Sequence, residues 1–590
     1  MIAKIRRLVI HKIRHLSLAR LCILFCILTF LFTSYIYGLV EVNSHQVVIN
    51  ILPSNEIQID NDYFLKDISK QIIPKSANIS QSKYNYLNDK KIKKFFVRVN
   101  ENVELIERLM TETEYKQAIG QKNAYLSLIY ERHDKLKKEM ERELELLKKE
   151  EEKDKNNKND ANKDNDDDED EDDDETKIDP KDLKVKTSLN DDESVSRGEI
   201  INFLKLEKIN RKYKHVKNVE ELLREYKVHD QDGQYDLNKL PNIWKNYHQK
   251  INELKLDNDL TNVRDVLNSM SSEPVISCIE KERGTQIKLI LTLSDGTEVL
   301  IKPMKVPRNY ETPPDHFYFV DFERHHAEIA AFHVDWLLGF YRVPPTVGRV
   351  FNMTTELMQK AEPDLERTFF ISPGGNLCFT GHCSYYCDST HAICGKPKDR
   401  MEGSVQLMLP GKPLVKWDTV RHPYRRTYTK KKKAEWEINE KYCEQTVFKN
   451  TLYHSKHFLD LMDLSIFDFI TSNMDRHHYE RMISLGNDSF MIHLDNGRSF
   501  GKIFSDEISI LAPVKQCCFV RYSTFKRLQY LYEKGFSKLL DHSLKVDPLY
   551  PVLTEDHLKS VDRRLALIFK EIMKCVDKHD LTNVIIDDGY

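Results

Sequence analysis

The sequence predicts an α+β fold of two lobes over residues 196–590, with disulfide-stapled insertions, preceded by a helical stem and an N-terminal membrane anchor. Three observations predict it. Charge is sorted into blocks that set the first 195 residues apart from the rest. A β-hairpin followed by an apolar helix opens the second part of the globular region. Further on, an apolar helix runs into an acid-bearing loop, and another acid follows 20 residues after the first.

Composition bounds the rest. The chain has 590 residues, 40% apolar and 31% charged, with only 19 Gly and 20 Pro, so a large core is available. Collagen-like and wholly disordered classes are excluded, and no repeat suggests a solenoid. The 90 Lys plus Arg nearly balance 93 Asp plus Glu, which argues against a nucleic-acid partner. That balance is an average over blocks.

Residues 1–20 hold six basic side chains (Lys4, Arg6, Arg7, Lys12, Arg14, Arg20) and no acid. Leu21 to Val40 then carries no charge, and twenty helical residues rise about 30 Å, the thickness of a bilayer's hydrocarbon core. The positive flank predicts a cytoplasmic tail at 1–20, a transmembrane signal anchor at 21–40 and a lumenal remainder. A cleaved signal peptide and a buried core helix are the competing readings, although Thr33-Ser34-Tyr35 is a poor cleavage site. Residues 41–95 are polar and irregular, as a stem would be.

Residues 96–150 read as helical, since Leu136, Met140, Leu144 and Leu147 keep one face apolar. A docking or coiled-coil helix and a helix packed on its own domain both fit. Residues 151–195 form an acidic linker: 11 of 12 residues from Asp164 to Glu175 are acidic, and such a run repels itself. Weak calcium binding is the alternative use.

Cys22 and Cys26 lie in the apolar span. Of the other nine cysteines, eight fall between 378 and 575, which suits disulfides in an oxidising lumen. A zinc knuckle at Cys383-x-x-x-Cys387 stays open, and Cys278 is left over. Glycosylation sequons stand at Asn78, Asn352 and Asn487.

Within the globular region, Val219 to Tyr226 and Leu240 to Leu254 read as helices. Gln286 to Leu293 alternates and is rich in β-branched residues. Ser294-Asp-Gly-Thr297 signals a hairpin turn, and Glu298 to Pro303 is the return strand. Phe322 to Leu338 reads as a helix that Gly339 stops. Hairpin, strand-borne lysine and acid-bearing helix follow the order of a protein-kinase small lobe, in which a lysine neutralises nucleotide phosphates and a helix glutamate holds it. Lys302 and Glu323 fit those positions, with Lys305 and Glu328 as rivals on spacing alone. No glycine-rich phosphate loop precedes Lys302.

Ser465 to Thr471 is apolar with helical period and runs into Asn473-Met-Asp-Arg-His-His-Tyr-Glu480. Asp495 follows in the strand-like stretch Phe490 to Gly497. Kinases place a catalytic aspartate in a loop, a metal ligand five residues later, and a metal-binding aspartate about 20 residues on, before a glycine. Asp475, Glu480 and Asp495 meet that spacing, with glutamate where an asparagine usually stands. One carboxylate can orient the attacking hydroxyl while others hold divalent ions against the phosphates. Two alternatives compete: His477 and His478 as ligands of a hydrolytic metal, and the acids as buried structural pairs.

The sequence closely resembles the secretory-pathway kinases of the "family with sequence similarity 20" group. Ile301-Lys-Pro-Met-Lys305, Glu323-Arg-His-His-Ala-Glu-Ile-Ala-Ala-Phe-His333 and Cys383-Ser-Tyr-Tyr-Cys387 carry the likeness, with Cys394-Gly-Lys-Pro397, Asn473 to Glu480, Ser509 to Pro513 and Gln516-Cys-Cys518. It covers residues from about 280 to 590. The resemblance implies an atypical kinase fold in which Gln286 and Lys302 contact ATP phosphates and Glu323 orders the site and reaches the metal. Gln406, Leu407, Met408 and Leu409 would pass the adenine. Asp475 would be the catalytic aspartate, with Glu480 and Asp495 at the nucleotide–metal site. Mn2+ is the implied ion, with Mg2+ as the alternative. The implied disulfides are Cys378–Cys394, Cys383–Cys387, Cys443–Cys517 and Cys518–Cys575.

The family's pseudokinase branch lacks the glutamate at the position of Glu323, which this chain keeps. Its glycan-kinase branch fits Leu494 to Arg498 and Tyr428 to Trp436 less well than its protein-kinase branch, although Ser499 replaces a glycine expected there. The resemblance therefore implies a Golgi or secreted Ser/Thr kinase acting on secretory proteins at Ser-x-Glu sites, with a pseudokinase paralogue or a second copy as partner. The basic run of Arg421, Arg425, Arg426 and Lys430 to Lys433 either attracts such acidic substrates or is an exposed loop.

Overall fold

The computed structural model describes residues 86–107, 116–117, 120, 195–229, 242–282, 284–412 and 414–590. The tail 1–20, the apolar span 21–40, the sequon at Asn78, the acidic tract and most of 96–150 lie outside them. Among the described residues no helix is long and apolar enough to cross a membrane.

The small lobe is a five-stranded antiparallel sheet built from β1 (Val275–Glu280), β2 (Leu289–Leu293), β3 (Glu298–Pro303), β4 (Thr346–Asn352) and β5 (Arg400–Leu407), in the order β1-β2-β3-β5-β4. In β2, Leu289, Leu291 and Leu293 are fully buried and alternate with half-buried Ile290 and Thr292, the period of two that marks a strand. The hairpin turns at Gly296, whose φ of 84° a side chain would strain. Asp295 braces it by accepting from the Thr297 N–H at 2.9 Å.

One helix, α2 (His325–Leu338), packs on this sheet and is buried on nearly every side, so it reads as apolar all round. Gly339 ends it in the left-handed conformation, its N–H donating to the Asp335 and Trp336 carbonyls.

The large lobe surrounds α3 (His457–Thr471), every residue of which is buried. Against it packs α5 (Glu555–His579), and α4 (Tyr522–Lys534) packs on α5 and donates from Thr524 Oγ1 to Asp463 of α3 at 2.7 Å. Buried charges need partners, and α3 finds them across the chain. Asp460 accepts from Arg342 at 2.7 Å and from Arg521 at 2.8 Å. Arg521 also reaches Asp463, and Asp588 at 3.0 Å near the C-terminus.

The structure pairs Cys378–Cys394, Cys383–Cys387, Cys443–Cys517 and Cys518–Cys575, and it leaves Cys278 free and buried. The zinc-knuckle reading of Cys383 and Cys387 is thereby overturned.

Three boundaries differ from expectation. Leu240–Leu254 contains a shorter helix, Asn242–Lys250. The expected strand-like stretch 490–497 reduces to one bridge, Glu480 with Ile492, and the backbone turns left-handed at Asp495 (φ 57°). The N-terminal helix, here α1 (Lys90–Glu101), starts inside the stretch read as stem, and Asp89 caps it. Phe96 of this helix meets Phe525 and Tyr532 of α4 and Phe569 of α5. This part of the segment therefore packs on its own domain.

Two predictions follow from this packing. Phe96→Ala should cost about 3–5 kcal/mol of stability, read from denaturant midpoints; a change within experimental error would show that the helix is not part of the folded unit. Burial holds His333, His493 and His557 down at about 4, and His248 and His422 at about 3. Unfolded histidine titrates near 6.5, so their contribution is present above about pH 6.5 and is lost as pH falls toward 4. Burial raises Asp475 and Asp547 to about 6, which opposes the trend, but five groups outweigh two. The denaturant midpoint should be lower at pH 5 than at pH 7.5, and an unchanged midpoint would contradict the burial of these rings.

Candidate active site

Lys302 lies near the end of β3, where its strand partner is Ser404 of β5. Its ammonium is buried among three carboxylates. It stands 2.9 Å from Glu323 Oε2 and touches Glu328 Oε1 and Asp495 Oδ1. Burial opposes its charge, yet Asp495, Glu323 and Glu328 outweigh that and hold its pKa well above the usual lysine range. Asp495 responds in kind: burial works against ionisation, but Lys288 and Lys302 hold it well below the usual carboxylate range. Glu328 is raised, chiefly by burial.

The choice left open between Glu323 and Glu328 resolves into both. Glu323 does not open the helix; it lies in the extended segment before α2, and Glu328 sits in the first helical turn. That segment is clamped. The Arg324 N–H donates to the Gly497 carbonyl at 2.7 Å, and the Glu323 N–H donates to Gln286 Oε1 at 3.0 Å. A side chain at Gly497 would crowd this clamp, since a Cβ would stand 3.0 Å from Glu323 Cβ and 3.1 Å from Lys302 Nζ.

Lys305 is not the partner of these acids. Its ammonium donates to the Tyr386 carbonyl at 3.1 Å, and burial lowers it to about 8. Lys288, which sequence reasoning missed, lies 3.3 Å from Asp495 and 3.5 Å from Glu323. Its signal was its place in an alternating strand, two residues after Gln286.

Asp475 follows α3 on the loop that Ser472 starts in the left-handed conformation. The neighbouring Arg476 fixes this loop. Its guanidinium reaches Asp468 of α3 at 2.9 Å, Asn496 Oδ1 at 2.7 Å and the Leu494 carbonyl. The catalytic-loop candidate and the Asp495 loop are thus held on one cation. Asp475, Glu480 and Asp495 line a common cleft with Arg476, His478 and Leu494.

Burial pushes the Asp475 carboxyl up to about 6, against the pull of Arg498 and His477. Glu480 accepts from Thr419 Oγ1 at 2.7 Å across the small sheet of Trp417–Arg421 and His478–Met482, and burial raises it too.

Gln286 and Gln406 to Leu409, expected at the phosphates and the adenine, have partners of their own within the chain. Gln286 spends both ends of its amide on backbone, donating to the Asp321 carbonyl at 2.8 Å while accepting from Glu323. Gln406 donates to Thr346 Oγ1 at 3.0 Å within the sheet, while the Leu407 and Met408 N–H groups donate to Pro345 and Glu298 carbonyls. Leu409 is half-buried beyond them. Of the sequons, Asn487 is exposed, while the Asn352 carboxamide caps a turn by accepting from Thr354 and Thr355 N–H groups.

Among the described residues, no group of three or more His, Cys, Asp or Glu side chains is arranged as a metal site. His477 turns its Nδ1 to the Asp475 carbonyl at 2.7 Å, and His478 lies 3.5 Å from Glu480. The carboxylates nevertheless fit a hard divalent cation, since Glu328 Oε2 is buried without a hydrogen-bond partner.

Removing the shared cation tests this balance. Lys302→Met should cost about 3–5 kcal/mol of stability at neutral pH by leaving buried carboxylates uncompensated. Without the lysine those carboxyls take up protons more readily, so the cost should shrink between pH 7.5 and pH 5.5. A cost that does not change with pH would mean that the cluster is not held by charge.

The family model for the Golgi casein kinase C-terminal domain of Fam20 matches residues 242–584. The extracellular serine/threonine protein kinase FAM20C of Homo sapiens is 48% identical over 361 residues, covering 60% of this chain and 61% of the human protein. CeFam20 of Caenorhabditis elegans, an extracellular serine/threonine protein kinase, is 44% identical over 349 residues, covering 58% and 68%. The chain therefore spans less than two thirds of the human relative's length. A crystal structure of the Golgi casein kinase with Mn/ADP bound superposes with a TM-score of 0.57 at 40% identity, covering 63% of this chain and 93% of that one. With more than half of its length matched, the chain belongs to the Fam20 family.

Proposed function

We propose that the chain is a Ser/Thr protein kinase of the secretory pathway that transfers the γ-phosphate of ATP to secretory proteins at Ser-x-Glu sites. The observation that carries this reading is the buried cluster of Lys302 with Glu323, Glu328 and Asp495, faced by Asp475 across one cleft. A site with two lysines and several carboxylates suits a polyphosphate bound with a divalent cation. Glu323 and Asp495 would hold Mn2+, or Mg2+ in its place, with Glu328 and Glu480 close by. When bound, the ion offsets the charge that develops on the phosphate oxygens. The solved relative with Mn/ADP supports this choice of ligands.

Lys302 and Lys288 would neutralise the phosphates, with Gln286 bracing the segment that carries Glu323. Gln406 to Leu409 would border the adenine through their backbone. Asp475 orients the acceptor hydroxyl and takes its proton as the new O–P bond forms and the bond from the γ-phosphorus to the β–γ bridging oxygen breaks, releasing ADP.

The same reading places the enzyme in the Golgi lumen, held through 21–40 as a type II anchor or released by cleavage of the stem. Four disulfides suit that oxidising compartment. Exposed Lys430 to Lys433 lie on a loop whose Lys430 ammonium donates to the Asp315 carbonyl, and acidic acceptors would meet this charge first. A pseudokinase paralogue or a second copy is the proposed partner; nucleic acid is not.

The test offers the full chain ATP and Mn2+ with either a Ser-x-Glu peptide or a xylose-containing linker glycan. Phosphate should appear on the peptide, and Asp475→Asn should slow transfer by about 100-fold or more. Label on the glycan alone would replace this reading with a glycan kinase. ATP binding without transfer to either would make the chain a scaffold.

A further inference from the structure

Arg498 has no part in the reading above, yet it contacts the candidate catalytic carboxylate directly. Its guanidinium meets Asp475 Oδ2. A second nitrogen donates to Thr285 Oγ1 at 3.1 Å, and Nε donates to the Asp321 carbonyl at 3.4 Å. The group also lies 5.3 Å from the centre of the Phe319 ring. The side chain is 8% exposed, so it is a built element of the cleft and not a surface cation. The contacts divide by lobe. Asp475 belongs to the large lobe, whereas Thr285 lies between β1 and β2, and Asp321 just precedes the segment carrying Glu323.

Asp475 is left with one unused oxygen. Oδ1 is buried without a hydrogen-bond partner, 3.7 Å from His477 Nδ1. The cleft beside it is lined by Tyr318, Met474, Arg498 and Lys502, where an acceptor hydroxyl could approach.

We infer that Arg498 is a positioning residue, which grips Asp475 Oδ2 so that Oδ1 alone is offered to the acceptor hydroxyl, and which does so only while Thr285 and Asp321 of the small lobe hold its guanidinium. The fork geometry makes this specific to arginine, since a lysine ammonium cannot serve three partners in fixed directions. The device couples closure of the small lobe over the nucleotide to orientation of the carboxylate. It rests on the phosphotransfer reading of the site.

The charged and titratable groups that face Asp475 are Arg498, His477, Asp495, Tyr318 and Tyr428. Arg498 is the permanent cation among them.

The experiment compares Arg498→Met, Arg498→Lys and Thr285→Val with wild type in the full chain. Arg498→Met should lower kcat by about 100-fold while the KM for ATP stays within about twofold, the pattern of a lost orientation and not of lost binding. The acid limb of its rate profile should rise by about one pH unit, because Asp475 loses the neighbouring cation. Arg498→Lys should restore the acid limb but not kcat, and Thr285→Val should lower kcat by about tenfold with the acid limb in place. If wild type transfers to no acceptor, the phosphotransfer reading fails separately. The 13C resonance of the Asp475 carboxyl then still decides, because it should titrate about one unit higher in Arg498→Met. A kcat within threefold of wild type, a carboxyl titration that does not move, or an Arg498→Met chain that binds ATP poorly and melts early would each overturn the inference.

Discussion

The placement of Lys302 is the constraint on which the remainder of the structure depends. An ammonium taken out of water costs several kcal/mol unless charge and hydrogen bonds surround it. Here the three carboxylates arrive from three directions: an extended segment, the first turn of α2 and a loop of the large lobe. No single element could supply all three. The strand, the clamp at Gln286 and the left-handed turn at Asp495 must therefore all be correct before the lysine is satisfied. With Lys288 included, two ammoniums face three carboxylates, and one negative charge remains in a site that opens to the cleft only on the Asp495 side. Such an excess favours a further cation over a neutral ligand.

The large lobe shows the same logic at a distance from the chemistry. Helix α3 carries Asp460, Asp463 and Asp468 into the core, and each is met by an arginine from elsewhere in the chain. Apolar residues at those positions would give comparable stability. Charge adds direction, because Arg476 binds Asp468 and the Asp495 loop at once. The helix axis, the Asp475 loop and the Asp495 loop therefore share one reference point. Ordered carboxylates are worth more to phosphoryl transfer than extra stability, since catalysis there is mainly positioning and electrostatics.

How much of this could be read from the sequence depended on the range of the interaction. The spacing of Asp475, Glu480 and Asp495 was legible because loop chemistry fixes it locally. The hairpin was legible because half-burial imposes a period of two, and α2 because an apolar run too long for a strand stops at Gly339. Lys302 could not be told from Lys305, because the strand ends at Pro303 and alternation gives no direction beyond it. Glu323 could not be told from Glu328 because both are used. Lys288, Arg476 and Arg498 went unrecognised as site residues. Lys288 meets Asp495 from 207 positions away, and no local pattern encodes such a meeting. The disulfide pairing came from family resemblance, since spacing alone leaves many connectivities open.

Where the N-terminal segment packs changes the meaning of the acidic tract. In the sequence, anchor, stem, helix and acidic run read as successive parts of one tether. Yet α1 buries Ile92, Phe95, Phe96 and Val99 in the large lobe, upstream of the acids. The chain returns to the same lobe after the acids, where Arg197 donates to the Cys517 carbonyl at 2.6 Å. The departing and returning segments also touch, since the Lys208 ammonium donates to the Glu107 carbonyl at 3.0 Å. Both ends of the acidic tract are therefore fixed to one body. Closing a longer loop costs only about 0.6 kcal/mol for each doubling of its length, so such an insertion burdens the fold little. Under the proposed anchor at 21–40, the tether between membrane and folded lobe is then the stretch between Val40 and Tyr86, and the acidic run lies outside it.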